Sequence, residues 1–298
     1  DSIVPAISIF IGLFLYIQPN AITLYNIKTK VEITKYDITG TNPLPGARLQ
    51  VKDLDGNVMD EWTSTDKAHV IEGVLVSGQT YILHEETAPD GYVLASDMQF
   101  TVNPDGTITT VDMKDDTTKV SITKKDITGE NEIAGATLEV WDMQGNVIDS
   151  WVSDGTAHEI SGILTAGAKY ILHEVSAPDG YVVATDVEFT VDANGNVTEV
   201  TMLDDTTKLH VTKKDITGEK ELAGAALEVK DTDGNIIDAW VSDGTEHQII
   251  GVLAVGKKYI LHEVSAPDGY VVAEDVEFEV NADGSITRVE MRDDTTKV

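Results

Sequence analysis

Residues able to form or break covalent bonds recur on the apolar faces of three short segments of this sequence. Side chains alternate between two faces along a β-strand. In VEITKYD, Lys35 therefore shares a face with the valine and the isoleucine. In YILHE, Glu85 shares a face with the tyrosine and the leucine. In VDMKD, Asp115 shares a face with the valine and the methionine. A lone charge that faces a core is costly unless it is paired. The three side chains therefore predict a buried polar cluster.

The same residue types return at a constant interval of 89 residues (124 − 35 = 89, 213 − 124 = 89). The segment TKVEITKYDITG returns as TKVSITKKDITG and as TKLHVTKKDITG, and YILHEETAPDGY returns twice as YILHEVSAPDGY. The candidate site residues are therefore Lys35, Glu85 and Asp115 in the first repeat, Lys124, Glu174 and Asp204 in the second, and Lys213, Glu263 and Asp293 in the third.

A lysine, a glutamate and an aspartate on apolar faces have the chemistry needed to make an amide. Desolvation lowers the pKa of a buried lysine, and a neutral amine is a nucleophile. Burial raises the pKa of a carboxyl group, so a protonated glutamate can donate and shuttle protons. Attack of the amine on the aspartate carboxyl gives an amide and water, and a dry core disfavours the reverse hydrolysis. Two simpler interpretations are a lysine at a strand end with only its stem buried, and a buried ion pair.

The composition restricts the classes of function. The chain of 298 residues has 52 acidic and 21 basic residues, and its net charge of −31 argues against nucleic acid as a partner, because phosphate binding needs a basic surface. The same charge disfavours docking on anionic membranes. The chain has no cysteine, which excludes disulfides, thiolate metal sites and thiol nucleophiles. We expect no cofactor and no metal.

Short β-strands must position the candidate residues. In the third repeat LHVTKKD alternates, AALEVKD and IIDAWVS flank the turn DTDGN, KKYILHEV precedes the turn APDGY, and DVEFEV and SITRVEM flank the turn NADG. Alternating segments bounded by Asp-Gly and Asn-Gly turns predict the hairpins of a sandwich or barrel. The period is too long for a solenoid, so we interpret each repeat as one small all-β domain.

The predicted domain boundaries follow the repeat. The boundaries are 30–117 for repeat 1, 118–206 for repeat 2 and 207–295 for repeat 3, with 296–298 expected to begin a further repeat and 1–29 forming a separate segment. That segment contains IVPAISIFIGLFLYI, an uncharged run that is short for a membrane span and suits the apolar part of a secretion signal. We expect the remnant of a signal or anchor, or else an extra apolar strand.

The repeats carry the motifs of a known family. The three YILHE segments match the YxLxExxAPxGY motif, or E-box, of Gram-positive surface proteins. Together with TKxD, GAxLxV and a final VxMxDD strand, each repeat resembles a CnaB-type domain, also called SpaA-like or prealbumin-like. The resemblance covers about 30–298. It implies an all-β fold of three tandem CnaB-type, Ig-like or prealbumin-like β-sandwich domains preceded by a short apolar segment.

The resemblance also implies a role for each candidate residue. In that family the lysine of TKxD joins an asparagine or aspartate on the last strand, and the E-box glutamate is the catalyst. The implied isopeptide bonds are Lys35–Asp115, Lys124–Asp204 and Lys213–Asp293, with Glu85, Glu174 and Glu263 as catalysts. Each last strand ends in two aspartates, so Asp116 is an alternative to Asp115, and the other repeats offer the same choice. Parity favours the first aspartate of each pair.

The function implied by the resemblance is that of a stalk in a cell-wall-anchored adhesin or pilin on the bacterial surface, without enzymatic turnover beyond self-cross-linking. Its partners would be the neighbouring repeats. A host matrix or glycan ligand and a sorting signal for peptidoglycan attachment are expected outside this sequence, which contains no LPxTG motif. The alternatives are a module that binds a host ligand and a calcium-stabilised surface repeat. DLDGN, DTDGN and DANGN look like acidic metal loops, but no bidentate glutamate follows in place.

Overall fold

The structure is a computed structural model that describes residues 13–18 and 21–296. All of the regular secondary structure in this part of the chain is β-strand. No helix among these residues is long and apolar enough to cross a membrane.

Part of the apolar N-terminal segment is described. β1 (Leu13–Gln18) and β2 (Ala21–Asn26) form an antiparallel hairpin. Residues 1–12, 19 and 20 lie outside the described residues, as do 297 and 298 of the expected further repeat.

The three repeats are built from seven strands each. Repeat 1 has β3 (Lys30–Asp37), β4 (Arg48–Lys52), β5 (Val58–Thr63), β6 (His69–Glu72), β7 (Thr80–Thr87), β8 (Met98–Thr101) and β9 (Thr109–Asp115). Repeat 2 has β10 (Lys119–Asp126), β11 (Ala134–Asp142), β12 (Val147–Asp154), β13 (His158–Ser161), β14 (Lys169–Ser176), β15 (Val187–Thr190) and β16 (Thr198–Asp204). Repeat 3 has β17 (Lys208–Asp215), β18 (Ala223–Asp231), β19 (Ile236–Asp243), β20 (His247–Ile250), β21 (Lys258–Ser265), β22 (Val276–Glu279) and β23 (Thr287–Asp293).

Each repeat folds into one three-stranded and one four-stranded sheet. In repeat 1 the strand orders are β6-β3-β9 and β5-β4-β7-β8, and repeats 2 and 3 have the same orders at the corresponding strands. This arrangement confirms the predicted all-β fold of three tandem sandwiches. The sequence patterns predict six of the seven strands. The additional one is β6 with its counterparts β13 and β20, whose residues HVIE, HEIS and HQII do not form an alternating apolar and polar run.

The first and last strands of a repeat are parallel neighbours. β3 pairs in parallel with β9, with Lys35 opposite Met113 and Asp37 opposite Asp115. β17 and β23 pair in the same register. The other strand pairs with described registers are antiparallel hairpins or crossovers. The two ends of each repeat are therefore joined side by side in the three-stranded sheet.

The alternation of apolar and polar residues in the sequence corresponds to an alternation of buried and more exposed side chains in the strands. Every second residue of β3, from Val31 to Lys35, is buried, and β7 and β9 show the same period. Val31 and Ile33 of the three-stranded sheet pack in one cluster with Leu49 and Leu83 of the four-stranded sheet. The core thus lies between the two sheets, as expected for a sandwich whose inner faces are apolar.

Contacts divide the chain into two compact units. The first contains the described residues of Asp1–Val120, Glu159–Ala168 and Thr190–Thr198, and with them both sheets of repeat 1. The second contains those of Ser121–His158, Lys169–Phe189 and Glu199–Val298, and with them both sheets of repeat 3.

All four tryptophans of the chain stack on a histidine. The pairs are Trp62–His69 with ring centroids 4.1 Å apart, and Trp141–His173, Trp151–His158 and Trp240–His247, each at 4.0 Å. In repeat 1 the imidazole is also held by an aspartate, with His69 Nε2 lying 2.8 Å from Asp60 Oδ2. The same contact recurs in the other repeats at His158 and His247.

Candidate functional site

The candidate lysine and aspartate come from the two parallel strands that begin and end a repeat. Because Asp37 lies opposite Asp115 in the register, Asp115 is displaced by two residues from the direct partner of Lys35. Residues two apart on a strand share a face. Both side chains therefore point into the sandwich from the same sheet, at the same end of the strand pair.

The candidate glutamate comes from the opposite sheet. Glu85 lies on β7, an inner strand of the four-stranded sheet, where it pairs with Leu49 of β4. A register shift between Arg48 and Leu49 interrupts the β4–β7 pairing beside this position. The three side chains meet in the space between the two sheets. They are far apart in sequence, so only the packing of the sheets brings them together.

The three side chains of repeat 1 form one buried cluster. Lys35, Glu85 and Asp115 are only 2%, 1% and 1% exposed. Lys35 Nζ donates a hydrogen bond to Asp115 Oδ1. Glu85 Oε1 lies 2.9 Å from the same nitrogen. One ammonium group thus faces two carboxyl groups in an environment closed to solvent.

Repeats 2 and 3 reproduce this arrangement. Lys124 Nζ donates to Asp204 Oδ1 and lies 3.0 Å from Glu174 Oε2. Lys213 Nζ donates to Asp293 Oδ1 and lies 2.8 Å from Glu263 Oε1. All six of these residues are buried. The structure therefore places the nine predicted residues in three equivalent clusters.

A backbone amide holds each glutamate. The N–H of Ala95 donates to Glu85 Oε2 over 2.7 Å, and Ala184 and Ala273 donate to Glu174 and Glu263 over 2.6 and 2.7 Å. This donor lies in the loop that follows the E-box turn. Sequence reasoning missed it, because a backbone amide leaves no signal in the choice of side chain.

Each cluster also contains two carboxyl oxygens without a hydrogen bond. In repeat 1, Glu85 Oε1 and Asp115 Oδ2 have no hydrogen-bond partner among the described residues, and Glu85 Oε1 approaches Lys35 without hydrogen-bond alignment. Glu263 Oε1 and Asp293 Oδ2 are left in repeat 3, and Glu174 Oε1 and Asp204 Oδ2 in repeat 2, where Lys124 lies nearest the other glutamate oxygen, Oε2. Buried oxygens without a donor are costly. A proton on one carboxyl group would let it donate to the other and satisfy both.

The environment of the aspartate favours its neutral form. Burial raises the pKa of Asp115 from 3.8 to about 7, and the neighbouring Glu85 adds to the rise while Lys35 opposes it. Burial also raises the pKa of Asp204 to about 7 and raises the pKa of Asp293, against the same opposition from the lysine. A neutral carboxyl group is the form that an amine can attack.

The second aspartate of each pair lies outside the cluster. Asp116 is partly exposed, and its Oδ2 accepts a hydrogen bond of 2.7 Å from Lys119 Nζ. This ion pair lowers the pKa of Asp116, so its carboxyl group is ionised. Lys125, the neighbour of the candidate lysine in repeat 2, lies near Glu132 on the outer face of the sheet. Asp115, which parity favours, thus contacts the candidate lysine, whereas Asp116 does not.

The aspartate oxygens of the acidic turns accept hydrogen bonds from the same turn. Asp53 Oδ1 accepts hydrogen bonds from the N–H groups of Asp55 and Asn57, and its Oδ2 accepts one from the Asn57 amide. Such side-chain to backbone bonds are typical of Asx-turns. In the described part of the chain, no group of three or more His, Asp or Glu side chains is arranged to hold a metal ion.

Comparison with known proteins shows the family of the chain. The SpaA prealbumin-like fold domain matches residues 29–117, 118–206 and 207–295. These matches account for nearly the whole sequence, and the chain belongs to the family of SpaA prealbumin-like fold domains. A comparison with curated proteins gives no match.

Solved structures with a similar fold come from Gram-positive bacteria. The chain is 23% identical to the Bacillus anthracis TIE protein, over 92% of this chain and 52% of that chain, with a TM-score of 0.49. It is 17% identical to the shaft pilin SpaA from Lactobacillus rhamnosus GG, over 61% and 98% of the two chains, with a TM-score of 0.28. It is 14% identical to BcpA, the major pilin subunit of Bacillus cereus, over 90% and 100%, with a TM-score of 0.37. The chain spans about half the length of the Bacillus anthracis protein.

Proposed function

We propose that each repeat closes one intramolecular isopeptide bond between its lysine and its aspartate, promoted by its glutamate, and that the chain is a structural stalk of a bacterial surface protein. The observation that carries the proposal is the buried Lys–Glu–Asp cluster, which occurs three times with the same contacts. A buried ion pair alone is weak support for stability. Formation of a covalent bond would explain why three ionisable side chains are buried together in each repeat despite the cost of desolvating them.

The reaction needs only groups within the cluster. In the neutral form, the Lys35 amine attacks Cγ of Asp115 while the Glu85 carboxyl group donates its proton to an aspartate oxygen. The C–N bond forms, the C–O bond breaks, and the nitrogen returns a proton to the glutamate. The net change is one amide formed and one water released, so no oxidant, cofactor or metal is required. Each repeat reacts once, which is not enzymatic turnover.

The bond would stabilise the repeat by closing a long loop. Lys35 and Asp115 are 80 residues apart. By the loop-closure relation used for disulfides, a cross-link of this span contributes about 4.5 kcal/mol. The chain has no cysteine and so cannot form a disulfide. An isopeptide bond would link the two strands covalently, and unlike a disulfide it is not broken by reducing agents.

The position of the bond suits a tensile element. It joins the first and last strands of a repeat, which are parallel neighbours. Force entering at one terminus would pass through the cross-link to the other terminus without unzipping the sheets. Together with the tandem repeats and the family, this supports an extracellular stalk in a surface adhesin or pilin, attached to the wall by segments outside this sequence. Neighbouring repeats would be its main partners.

Intact mass under denaturing conditions tests the proposal. The wild-type chain should weigh three water molecules less than its formula, and Glu174→Gln should weigh only two less, corrected for the substitution. Glu188→Gln is the matched control, because Glu188 is an exposed glutamate of the same repeat that pairs with Lys169, and its deficit should stay at three waters. A wild-type mass equal to the formula would overturn the covalent mechanism and leave three buried ion clusters.

A further inference from the structure

Two loops of repeat 2 pack against the end of repeat 1, and both belong to the same compact unit as repeat 1. The first loop brings the carbonyl group of Gly162 so close to Gly91 that a Cβ on Gly91 would overlap it. Only glycine permits such an approach of two backbones. The second loop places Gly195 beside Val93, since a Cβ on Gly195 would lie 3.6 Å from Val93 Cγ1. The end of repeat 1 is thus a fitted surface that the next repeat covers.

The junction between repeats 2 and 3 has the same contacts, again within one compact unit. A Cβ on Gly180 would overlap the carbonyl group of Gly251. A Cβ on Gly284 would lie 3.6 Å from Val182 Cγ1. The same two loops therefore meet the same end face at both internal junctions.

The apolar residue of this end face is buried in repeats 1 and 2 and exposed in repeat 3. Val93 and Val182 are each only 7% exposed, whereas Val271, at the same place in repeat 3, is 50% exposed. The segment APDGYV that ends at this valine is identical in the three repeats. The difference in exposure therefore comes from the surroundings of the valine and not from the residues of the end face.

Two other positions of the end face show the same contrast. Thr118 and Thr207, at the two internal junctions, are buried, and their counterpart Thr296 is exposed. Among the described residues, apart from its chain neighbours, no atom lies within 4 Å of a Cβ placed on Gly269. The surface that the next repeat covers in repeats 1 and 2 is therefore open in repeat 3.

The open face already has the conformation of the covered ones. Thr296 N–H donates to the carbonyl group of Gly269 over 2.9 Å, and Val271 N–H donates to that of Asp294 over 3.0 Å. The same two bonds form at the ends of repeats 1 and 2, each with a length of 2.9 Å. A surface that needs no rearrangement loses little conformational entropy on binding.

We propose that this surface, which we call the repeat 3 end face (Gly269, Val271 and Thr296), is a docking site for a further repeat of the same kind that follows it on the chain. The occupant brings a turn whose glycine carbonyl lies on Gly269. It also brings a second loop that covers Val271 with a glycine at positive φ, as Gly195 and Gly284 have. The inference rests on the stalk proposed above and names the next partner of repeat 3.

A following repeat fits this face better than a second copy of the chain. The contact consists of a few loop residues, so it gains from the high effective concentration that covalent linkage provides. At the first internal junction the linker itself takes part in the contact, because Thr117 Oγ1 lies 2.9 Å from Ser161 Oγ. Two separate copies, each with a net charge of −31, would also repel one another.

Thiol reactivity tests the proposal, since the chain has no cysteine of its own. The chain is extended after Val298 by a second copy of residues 121–206, which gives the junction sequence DDTTKVSITKKD that stands between repeats 1 and 2. An exposed cysteine reacts readily with a maleimide, whereas a buried one does not. In the extended chain Val271→Cys should lose its reactivity and become as slow as Val182→Cys, which reports a covered end face.

Val272→Cys is the matched control for this experiment. Val272 is 50% exposed, and its counterpart Val183 stays 44% exposed at the internal junction. The reactivity of Val272→Cys should therefore be the same in the two chains.

A second substitution tests the close approach of the glycines. Gly269→Ala in the extended chain should restore the reactivity of Val271→Cys, because the added methyl group meets the docked glycine carbonyl. In the chain of three repeats the methyl group has no such neighbour. Its effect on the stability of repeat 3 there reports only the strain of the positive φ of Gly269.

Equal reactivity of Val271→Cys in the two chains would overturn the proposal. A fall in its reactivity as the concentration of the three-repeat chain rises would also overturn it, in favour of a second copy. Intact mass keeps this question apart from the cross-linking, because each repeat that closes its bond loses one water. Four lost waters without thiol protection would overturn the docking alone, whereas protection without water loss would support the docking and overturn only the isopeptide bonds.

Discussion

Replacing Glu174 by glutamine should make repeat 2 extensible under force while repeats 1 and 3 stay locked. The glutamine keeps the shape of the side chain and its place beside the Ala184 amide, but it has no acidic proton to pass to Asp204. Without the bond, tension at the ends of the repeat pulls Lys124 and Asp204 apart in shear. The strands β10 and β16 then separate and the sandwich unfolds.

The size of the step follows from the positions of the cross-link. Lys124 and Asp204 are 80 residues apart, and an extended chain spans about 3.5 Å per residue. Unfolding of repeat 2 therefore releases about 280 Å of chain, less the short separation of the two residues in the folded state. In the wild type this length is bypassed by the cross-link.

Single-molecule force spectroscopy of the chain between two handles can measure this step. The wild type should stretch without any event of this size up to rupture of the handles. Glu174→Gln should give one event of about 280 Å per molecule, and the control Glu188→Gln should give none. Three such events in the wild type would refute the reasoning, because they would mean that none of the repeats is locked.

Three further predictions concern single residues. Asp115→Ala should abolish the loss of one water in the intact mass, whereas Asp116→Ala should not, because only Asp115 contacts the lysine; the opposite result would exchange their roles. In a chain synthesised chemically in unlinked form and then allowed to fold, water loss in repeat 2 should slow as the pH rises through about 7, since Asp204 loses its proton there, and time-resolved mass spectrometry would contradict this if the rate increased. Lys213→Ala removes the buried cation beside Asp293 and should destabilise repeat 3 at pH 7 by about 3–5 kcal/mol beyond the lost cross-link. Burial raises the pKa of Asp293 above its unfolded value of about 3.8. The proton on this carboxyl group therefore stabilises the folded repeat below that pH, and this stabilisation is lost as the pH rises. Chemical denaturation of the variant at pH 4 should accordingly show a smaller loss in the free energy of unfolding than at pH 7.

Much of the site could be predicted because strand parity is strict. A period of two residues assigns each side chain to one face, so the polar residues Lys35, Glu85 and Asp115 stood out against an apolar pattern. The threefold repeat then showed that the positions do not slip. The same logic ranked Asp115 above Asp116, and in the structure only Asp115 lies in the buried cluster.

The remainder depends on contacts that a linear pattern does not encode. Parity does not state that β3 and β9 are parallel neighbours or that β7 lies in the other sheet, since strand order is set by the packing of the whole repeat. The amide of Ala95 belongs to a loop without a pattern. The short strand β6 reads HVIE, which does not alternate between apolar and polar residues and so gives no strand signal.

The tryptophan–histidine stacks have a spectroscopic consequence. At a centroid separation of about 4 Å each imidazole covers one face of its indole, so unfolding of a repeat removes this cover and changes the surroundings of its tryptophan. In repeats 1 and 3 the indole is single, Trp62 on His69 and Trp240 on His247. Tryptophan fluorescence should therefore change when either of these repeats unfolds, through Trp62 in repeat 1 and Trp240 in repeat 3. The protein thus carries its own optical probes of unfolding, at known positions and without any added label.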